Sequence, residues 1–233
     1  GSSPFKASNF SKANLRRLLF CIRRRYAEFH RKSRPPRHHP ILTHSLDIIY
    51  QDDDLVVVNK PSGLLSVPGR GAEKLDSITE RLKAKFPQAP NYPAVHRLDM
   101  DTSGLMLLSL NPEAHRALSR QFEDREVHKQ YIAIIDGVVE GDSGTIELPF
   151  RLDVDNRPHQ IYDEEHGKMG ITHWKKIGVE GAFTRIAFTP VTGRTHQLRL
   201  HAAHEKGFGA ARSPGEPPEG PQTYETGGRE RAA

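Results

Sequence analysis

The chain has 233 residues, a formal net charge of +5 and a hydrophobic content of 36%, which suits one sizeable domain or two small ones with polar ends. A single cysteine, Cys21, excludes an internal disulfide framework and a cysteine-based zinc site, and it fits a reducing, cytoplasmic environment. No apolar run approaches the roughly 20 residues that a bilayer-spanning helix needs, so we expect no membrane partner.

The positive charge is concentrated at the N-terminal end. Residues 1–40 hold 11 of the 34 Lys and Arg residues but only one of the 29 acidic residues, Glu28, so the rest of the chain carries a net charge of −5. Residues 1–44 are predicted to be a basic arm, either weakly ordered or forming one helix over 14–29. Such an arm favours polyanions such as RNA, and its composition also fits an organelle transit peptide or a weakly ordered extension with no role.

A single folded domain is predicted at residues 45–207, and it begins with two strands. Residues 47–50 and 55–59 have strand character on either side of an acidic turn. A short helix follows, with Asp76 as its predicted N-cap and a buried face spaced i, i+4, i+8, which consists of Ile78, Leu82 and Phe86.

Residues 95–104 place a cation, two carboxylates and two hydroxyl groups directly before the apolar segment 105–110. The apolar segment predicts a buried strand. A polar turn that leads into a buried strand is a common way to hold a reactive group at the edge of a core. The alternative interpretation is a charged loop whose ion pairs are purely structural.

The remaining elements complete an α+β pattern: a mixed, mostly antiparallel sheet with flanking helices. Asn111, as a capping residue before Pro112, predicts a helix whose apolar stripe is Ala114, Leu118 and Phe122. The later predicted elements are a strand at 129–136, a strand around 145–148, a hairpin at 171–177 and 183–188, and a helix at 195–204. Residues 208–233 form a tail rich in Gly and Pro that is predicted to be disordered.

Three polar segments are candidates for chemistry, at 96–99, 129–131 and 192–199, although each is weak by itself. Tyr131 alone is more typical of a half-buried core aromatic residue. The histidines of the last segment and of the helix after it lack neighbouring carboxylate ligands, so no metal site is predicted. Asp99 and Asp101 would share one face of a strand, but on a turn their spacing implies no such pairing.

Taken together, the order, spacing and surroundings of these segments resemble the RluA family of RNA pseudouridine synthases over about residues 48–207. The similarity includes the longer stretches 49–53, 57–70 and 156–160. It is closest to the branch of that family that modifies both a transfer-RNA anticodon loop and a ribosomal RNA hairpin. The resemblance implies a pseudouridine synthase-like catalytic domain that isomerises uridine in structured RNA without a cofactor or metal.

The resemblance also implies individual roles. Asp99 matches the aspartate that starts cleavage of the glycosidic bond, either by adding to the sugar or by abstracting a proton. Arg199 matches the arginine that pairs with this aspartate, and Tyr131 matches the tyrosine that stacks on the target base. Arg97 matches the arginine that occupies the space left by the flipped nucleotide. Substrate-binding positions are further implied for His96, Lys60 and Gln197.

Beyond Gly207 the chain departs from the family pattern, which suggests a change of reading frame near Gly209 and a C-terminally incomplete fold. This departure and the basic arm leave one alternative open, a catalytically impaired, RNA-binding remnant. A separate alternative is a carboxylate-dependent glycosidase or nucleosidase, which would need a second carboxylate. A monomer is expected, because no uncovered apolar helix or heptad pattern is present.

Overall fold

A computed structural model of the protein describes the structure of residues 45–204 and 211–212. The predicted basic arm at 1–44 lies outside the described residues, as does the predicted tail apart from residues 211–212. The domain boundaries at 44 and 207 therefore stay predictions. None of the helices in the described part combines the length and the apolar composition that membrane crossing requires.

The described elements fit the predicted α+β pattern, because runs of consecutive strands are separated by a few helices. The strands are β1 (Ile48–Gln51), β2 (Leu55–Lys60), β3 (Gly104–Ser109), β4 (Tyr131–Asp136), β5 (Ser143–Leu152), β6 (Gln160–Tyr162), β7 (Lys168–Glu180), β8 (Phe183–Pro190) and β9 (Ala211–Arg212). The α-helices are α1 (Ile78–Lys85), α2 (Pro112–Glu123) and α3 (Gln197–His204), and a short 3-10 helix spans Ala72–Lys74.

The strands form two antiparallel sheets. One has the order β1-β2-β3 and the other has the order β6-β5-β7-β8-β4-β9. Every pair of neighbouring strands in them is antiparallel, so the predicted fold class is confirmed. The predicted hairpins β1–β2 and β7–β8 are also confirmed. β7 continues past the predicted turn, because Gly178 lies in the strand at a register shift and does not begin the turn. β7 also begins three residues earlier, and β8 ends two residues later, than predicted.

The smaller sheet is buried on both faces because a helix covers each one. Successive side chains of a strand point to opposite faces, so Val56 and Val58 of β2 pack with α1 while Leu55 and Val57 pack with α2. A strand that is covered on both sides can be apolar at every position, and these four side chains have no exposed surface.

The helix ends follow from side-chain hydrogen bonds. Asn111 caps α2 as predicted, because its side-chain oxygen accepts the Ala114 N–H at 2.8 Å. The predicted cap of α1 is wrong by one residue. Ser77 accepts the Glu80 N–H at 3.3 Å and caps the helix, while the Asp76 carboxylate accepts two hydrogen bonds from the Arg81 guanidinium.

The two sheets meet at Tyr131, the first residue of β4. Tyr131 packs against the core between the small sheet and α1, and also against the core between the large sheet and α3. The second core contains Phe188 of β8 and Ala202 of α3, both buried. Tyr131 therefore lies where any cleft between the two halves has to open.

Candidate active site

The Asp99 loop, defined here as residues 96–103, connects to the rest of the domain through residues 60–66. Ser66 makes two hydrogen bonds with Leu98: its hydroxyl donates to the Leu98 carbonyl at 2.6 Å and accepts the Leu98 N–H at 3.0 Å. Both residues are buried. The residue next to Asp99 is thus fixed on both of its backbone polar groups, which restricts where the carboxylate can point.

The next two residues of the loop are held by the same segment. The Gly63 N–H donates to the Met100 carbonyl at 3.0 Å, and the Ser62 hydroxyl donates to the Asp101 carbonyl at 2.8 Å. Gly63 has a φ of 82°, a left-handed conformation that favours glycine. The stretch 60–66 therefore serves as a scaffold for the loop.

Lys60 completes this scaffold from inside the protein. Its side chain has no exposed surface, and its ammonium donates to the carbonyls of Pro61 at 2.9 Å and Met100 at 2.7 Å. Burial lowers the pKa of Lys60 to about 8, and the charges of Asp101 and Asp99 oppose that shift. A side chain without exposed surface cannot touch a substrate in this conformation, so the predicted substrate-binding position corresponds to a group that holds the loop.

Asp99 itself is partly accessible. Its side chain is 30% exposed, and its Oδ1 lies 4.0 Å from Nε2 of His196. Burial raises the pKa of the Tyr131 phenol, and the negative charge of Asp99 raises it further, which places the tyrosine near the carboxylate. The structure therefore brings together one residue from each of the three predicted segments.

Arg199 does not take the predicted position. Among the ion pairs that the described residues make, none joins Arg199 to Asp99 within 4.0 Å; the basic side chain at 4.0 Å from Asp99 is that of His196. The reason is helix geometry. In α3 the buried residues Gln197 and His201 lie four apart on one face, and Arg199 lies between them on the opposite, exposed face.

Gln197 also differs from its predicted substrate-binding position. It is buried, its amide group donates to the Ile171 carbonyl at 3.1 Å and the Thr172 hydroxyl at 3.0 Å, and its oxygen accepts from the Thr192 hydroxyl at 2.8 Å. The oxygen accepts a further bond from the Arg194 N–H at 3.2 Å. With both ends of the amide occupied, Gln197 joins the 192–197 turn to β7.

His96 is likewise engaged with the protein. Its Nε2 accepts the Leu107 N–H at 3.0 Å, and its ring stacks on Phe122 at a centroid distance of 4.7 Å. Burial, followed by the charge of Lys129, lowers the pKa of His96 to about 4, so the ring is neutral at pH 7. Its predicted role as a substrate ligand is not supported by these contacts, because they use the unprotonated ring nitrogen to anchor β3.

Arg97 is the exposed cation of the loop. Its guanidinium makes no ion pair with any residue in the described ranges, which leaves it available to a ligand. Its predicted role of filling the space left by a flipped nucleotide is compatible with this position.

His196 was not among the predicted site residues, although it lies inside the 192–199 segment. His196 adopts a φ of 55°, a left-handed conformation that is uncommon for a residue other than glycine, directly before the helix that begins at Gln197. The contact with Asp99 depends on that backbone conformation, and no periodicity in the sequence encodes it.

Two histidines with lowered pKa values, the buried His201 and the half-buried His96, make the stability of the domain depend on pH. Burial, with smaller contributions from His204 and Arg194, lowers the pKa of His201 to about 4, as it does for His96. A lowered folded-state pKa means that the unfolded chain takes up protons first, so stability is complete above pH 6.5 and is lost as the pH falls toward 4. We expect urea denaturation at pH 7 and pH 5 to show this loss, up to about 3 kcal/mol from His201 over the whole window.

The matched variant for this prediction is His201→Leu. Neither ring nitrogen of His201 has a hydrogen-bond partner in the described part of the chain, so an apolar side chain of similar size loses no hydrogen bond there. The variant should be at least as stable as the parent at pH 5 and should show a shallower pH dependence. An unchanged slope would assign the pH dependence to other groups.

Comparison with known proteins gives consistent matches. The family model described as RNA pseudouridylate synthase matches residues 54–204. The chain is 49% identical over 165 residues to the dual-specificity RNA pseudouridine synthase RluA of Haemophilus influenzae, covering 70% of this chain and 74% of that protein. It is 46% identical over 157 residues to the protein of the same name from Escherichia coli strain K12, covering 67% and 70%.

Solved structures agree at lower identity. The human RNA Pseudouridylate Synthase Domain Containing 1 superposes with a TM-score of 0.56 and 27% identity, covering 71% of this chain and 67% of that one. The human RNA Pseudouridylate Synthase Domain Containing 4 gives a TM-score of 0.54 and 26% identity, covering 67% and 63%.

Proposed function

The chain belongs to the RNA pseudouridylate synthase family and is an isomerase that converts uridine in RNA to pseudouridine. On that premise, we propose that Asp99 is its essential group and that its substrate is a uridine flipped out of a structured RNA. The observation that carries the proposal is the position of Asp99. Its carboxylate is partly exposed, on a loop whose neighbouring backbone groups are fixed by residues 60–66.

The chemistry requires a nucleophile or base that is held rigidly beside a nucleotide. In the isomerisation the N1–C1′ bond of uridine breaks, a C5–C1′ bond forms, and the proton on C5 is released while N1 gains one. Asp99 starts this sequence by adding to the sugar or by removing a proton from it. Since nothing is oxidised or reduced and no group leaves the RNA, the atoms balance without a further reactant.

Tyr131 is suited to receive the base. It is half-buried at the junction of the two sheets, and its raised pKa keeps the phenol protonated at neutral pH. The ring of Tyr131 lies beside the Asp99 carboxylate and offers a face on which a base can stack. Such stacking contributes about 1–3 kcal/mol per base. After Asp99 has reacted with the sugar, its negative charge no longer raises the pKa of the phenol, and Tyr131 can then take part in the transfer of the proton from C5.

Extrusion of the nucleotide costs a few kcal/mol, and the exposed guanidinium of Arg97 is placed to offset part of that cost by filling the vacated position. The relatives named dual-specificity RNA pseudouridine synthases suggest the substrate class for this chain. We infer a transfer-RNA anticodon loop, a large-subunit ribosomal RNA hairpin, or both. A cytoplasmic location and a monomeric state stay predictions.

A second candidate function, RNA binding without catalysis, is favoured by one observation. Arg199 is exposed and not paired with Asp99, so the carboxylate lacks the bidentate partner that would orient it. His196 supplies charge there only when it is protonated. In this candidate the loop and Tyr131 would still hold an everted base.

Incubation of the purified full chain with an anticodon stem-loop and with a ribosomal hairpin, followed by mapping of pseudouridine, tests both candidates. We expect conversion of one uridine in the loop of at least one RNA. Salt-sensitive binding without conversion supports the second candidate. Release of free uracil contradicts both, because it would mean hydrolysis of the glycosidic bond.

A further inference from the structure

Lys129 is a half-buried cation that neither the fold nor the proposed reaction accounts for. It precedes β4 by two residues, on the connection from α2 to Tyr131. A methyl group built on Gly193 would lie 3.4 Å from Lys129 Nζ, and the charge of Lys129 is felt at the ring of His96. The ammonium therefore lies where the three site segments converge.

Lys129 has no anionic partner in this position. Within residues 45–204 and 211–212 its ammonium makes no ion pair and no hydrogen bond to a side chain. Burial and then the charge of Arg125 lower the pKa of Lys129, and no carboxylate counteracts them. Lys60 is different, because Asp101 and Asp99 raise its pKa and two carbonyls accept its protons.

The ring of His96 cannot serve as an acceptor for Lys129. Its Nε2 already accepts the Leu107 N–H, so the neutral ring carries its proton on Nδ1, and neither nitrogen keeps a free lone pair for the ammonium. A partly desolvated ammonium without an acceptor is costly for the folded protein, so an anionic ligand that supplies an acceptor at this position is favoured.

We propose that Lys129 binds a backbone phosphate next to the flipped uridine, a proposal that rests on the RNA-modifying function above. The neighbouring segments carry the site residues: Asp99 follows His96 by three positions, Tyr131 follows Lys129 by two, and His196 follows Gly193 by three. A nucleotide everted onto Tyr131 brings its flanking phosphates into this region. A lysine ammonium matches a phosphate as a compact point charge, and the absence of a side chain at Gly193 leaves room beside it.

The test compares Lys129→Ala with Lys175→Ala. Lys175 is an exposed lysine in the middle of β7 and serves as the control for loss of one positive charge. Binding of the RNA stem-loop is measured across a range of KCl concentrations. A lysine that contacts a phosphate releases about one counterion when the RNA binds. Lys129→Ala should therefore make the negative slope of log K against log salt shallower by roughly 0.7 to 1, while Lys175→Ala leaves the slope unchanged.

A methylphosphonate scan of the RNA locates the phosphate. One neutralised position beside the uridine should weaken binding of the parent protein about tenfold and should not weaken binding of Lys129→Ala any further. A purely structural lysine would change the melting temperature but leave both the salt slope and the scan unaffected, and that result would overturn the proposal.

Two further outcomes keep the proposal separate from the proposed function. If Lys129→Ala does not fold, the scan on the parent protein decides, and the proposal fails if no single phosphate near the uridine matters. If the parent protein binds RNA but produces no pseudouridine, the proposed function fails, and the salt slope still tests the phosphate contact. Lys129→Arg should restore the slope, since it restores the charge.

Discussion

Replacement of Asp99 by Asn is expected to lower the rate of pseudouridine formation by at least about 10³-fold, because the amide can neither add to the sugar nor accept a proton from it. The fold should be unaffected, since the hydrogen bonds that hold the loop go to backbone atoms of Leu98, Met100 and Asp101 and none of them involves the carboxylate. Affinity for RNA should be retained or increase, because one negative charge is removed from a site that binds a polyanion.

Asp101→Asn is the matched control. Asp101 lies two residues away on the same loop, and its charge also reaches Lys60, so the variant removes the same charge from nearly the same place. We expect its rate to stay within about tenfold of the parent, as for other residues that do not act on the substrate. Single-turnover assays with saturating enzyme separate the chemical step from binding. Comparable losses of rate in the two variants would mean that the chemical step depends on the negative charge of the loop and not on the Asp99 carboxylate itself.

Gly170→Ala is expected to give the largest loss of stability. Gly170 is buried in β7, and a Cβ there would lie 2.5 Å from Cε1 of Phe150 and 2.8 Å from Nε2 of His201. Both of these side chains have no exposed surface, so neither can move aside into solvent. Overpacking of this kind costs about 1–3 kcal/mol, and 3 kcal/mol would lower Tm by roughly 6–12 °C in a domain of this size.

Activity should fall together with stability in this variant. His201 belongs to α3, whose first turn adjoins His196 and is joined to β7 through Gln197. Displacement of the helix by the new methyl group would move His196 away from Asp99. The pseudouridine assay below the melting transition therefore should show a reduced rate even where the protein is folded.

Gly178→Ala provides the control on the same strand. A Cβ at Gly178 meets nothing within 4 Å, and the backbone there does not have a positive φ. Its Tm should stay within about 2 °C of the parent, which corresponds to roughly 0.5 kcal/mol. Equal melting temperatures for the two variants would show that the β7–α3 packing adapts to the extra methyl group.

Elements whose side chains face a core in a regular period were predictable from the sequence. The apolar stripe Ile78, Leu82 and Phe86 predicted α1, and Asn111 with Pro112 predicted the start of α2, because local hydrogen bonding and burial decide these features. The same holds for β2 and β3, whose unbroken apolar runs require cover on both faces. The cap at Ser77 was missed because Asp76 and Ser77 are equally good caps by residue type.

Residue types and their order along the chain were enough to determine the α+β class, the position of Asp99 on a loop before a buried strand, and the family. The tertiary structure alone decided what the polar residues around Asp99 contact. The side chains of Lys60 and Gln197 are buried and hydrogen-bonded to other parts of the protein. Arg199 is exposed, and His196 lies next to Asp99. The physical reason is that a local pattern specifies only which face of an element is apolar. The partner of a polar group depends on elements that are distant in the sequence and on single backbone angles such as the φ of His196.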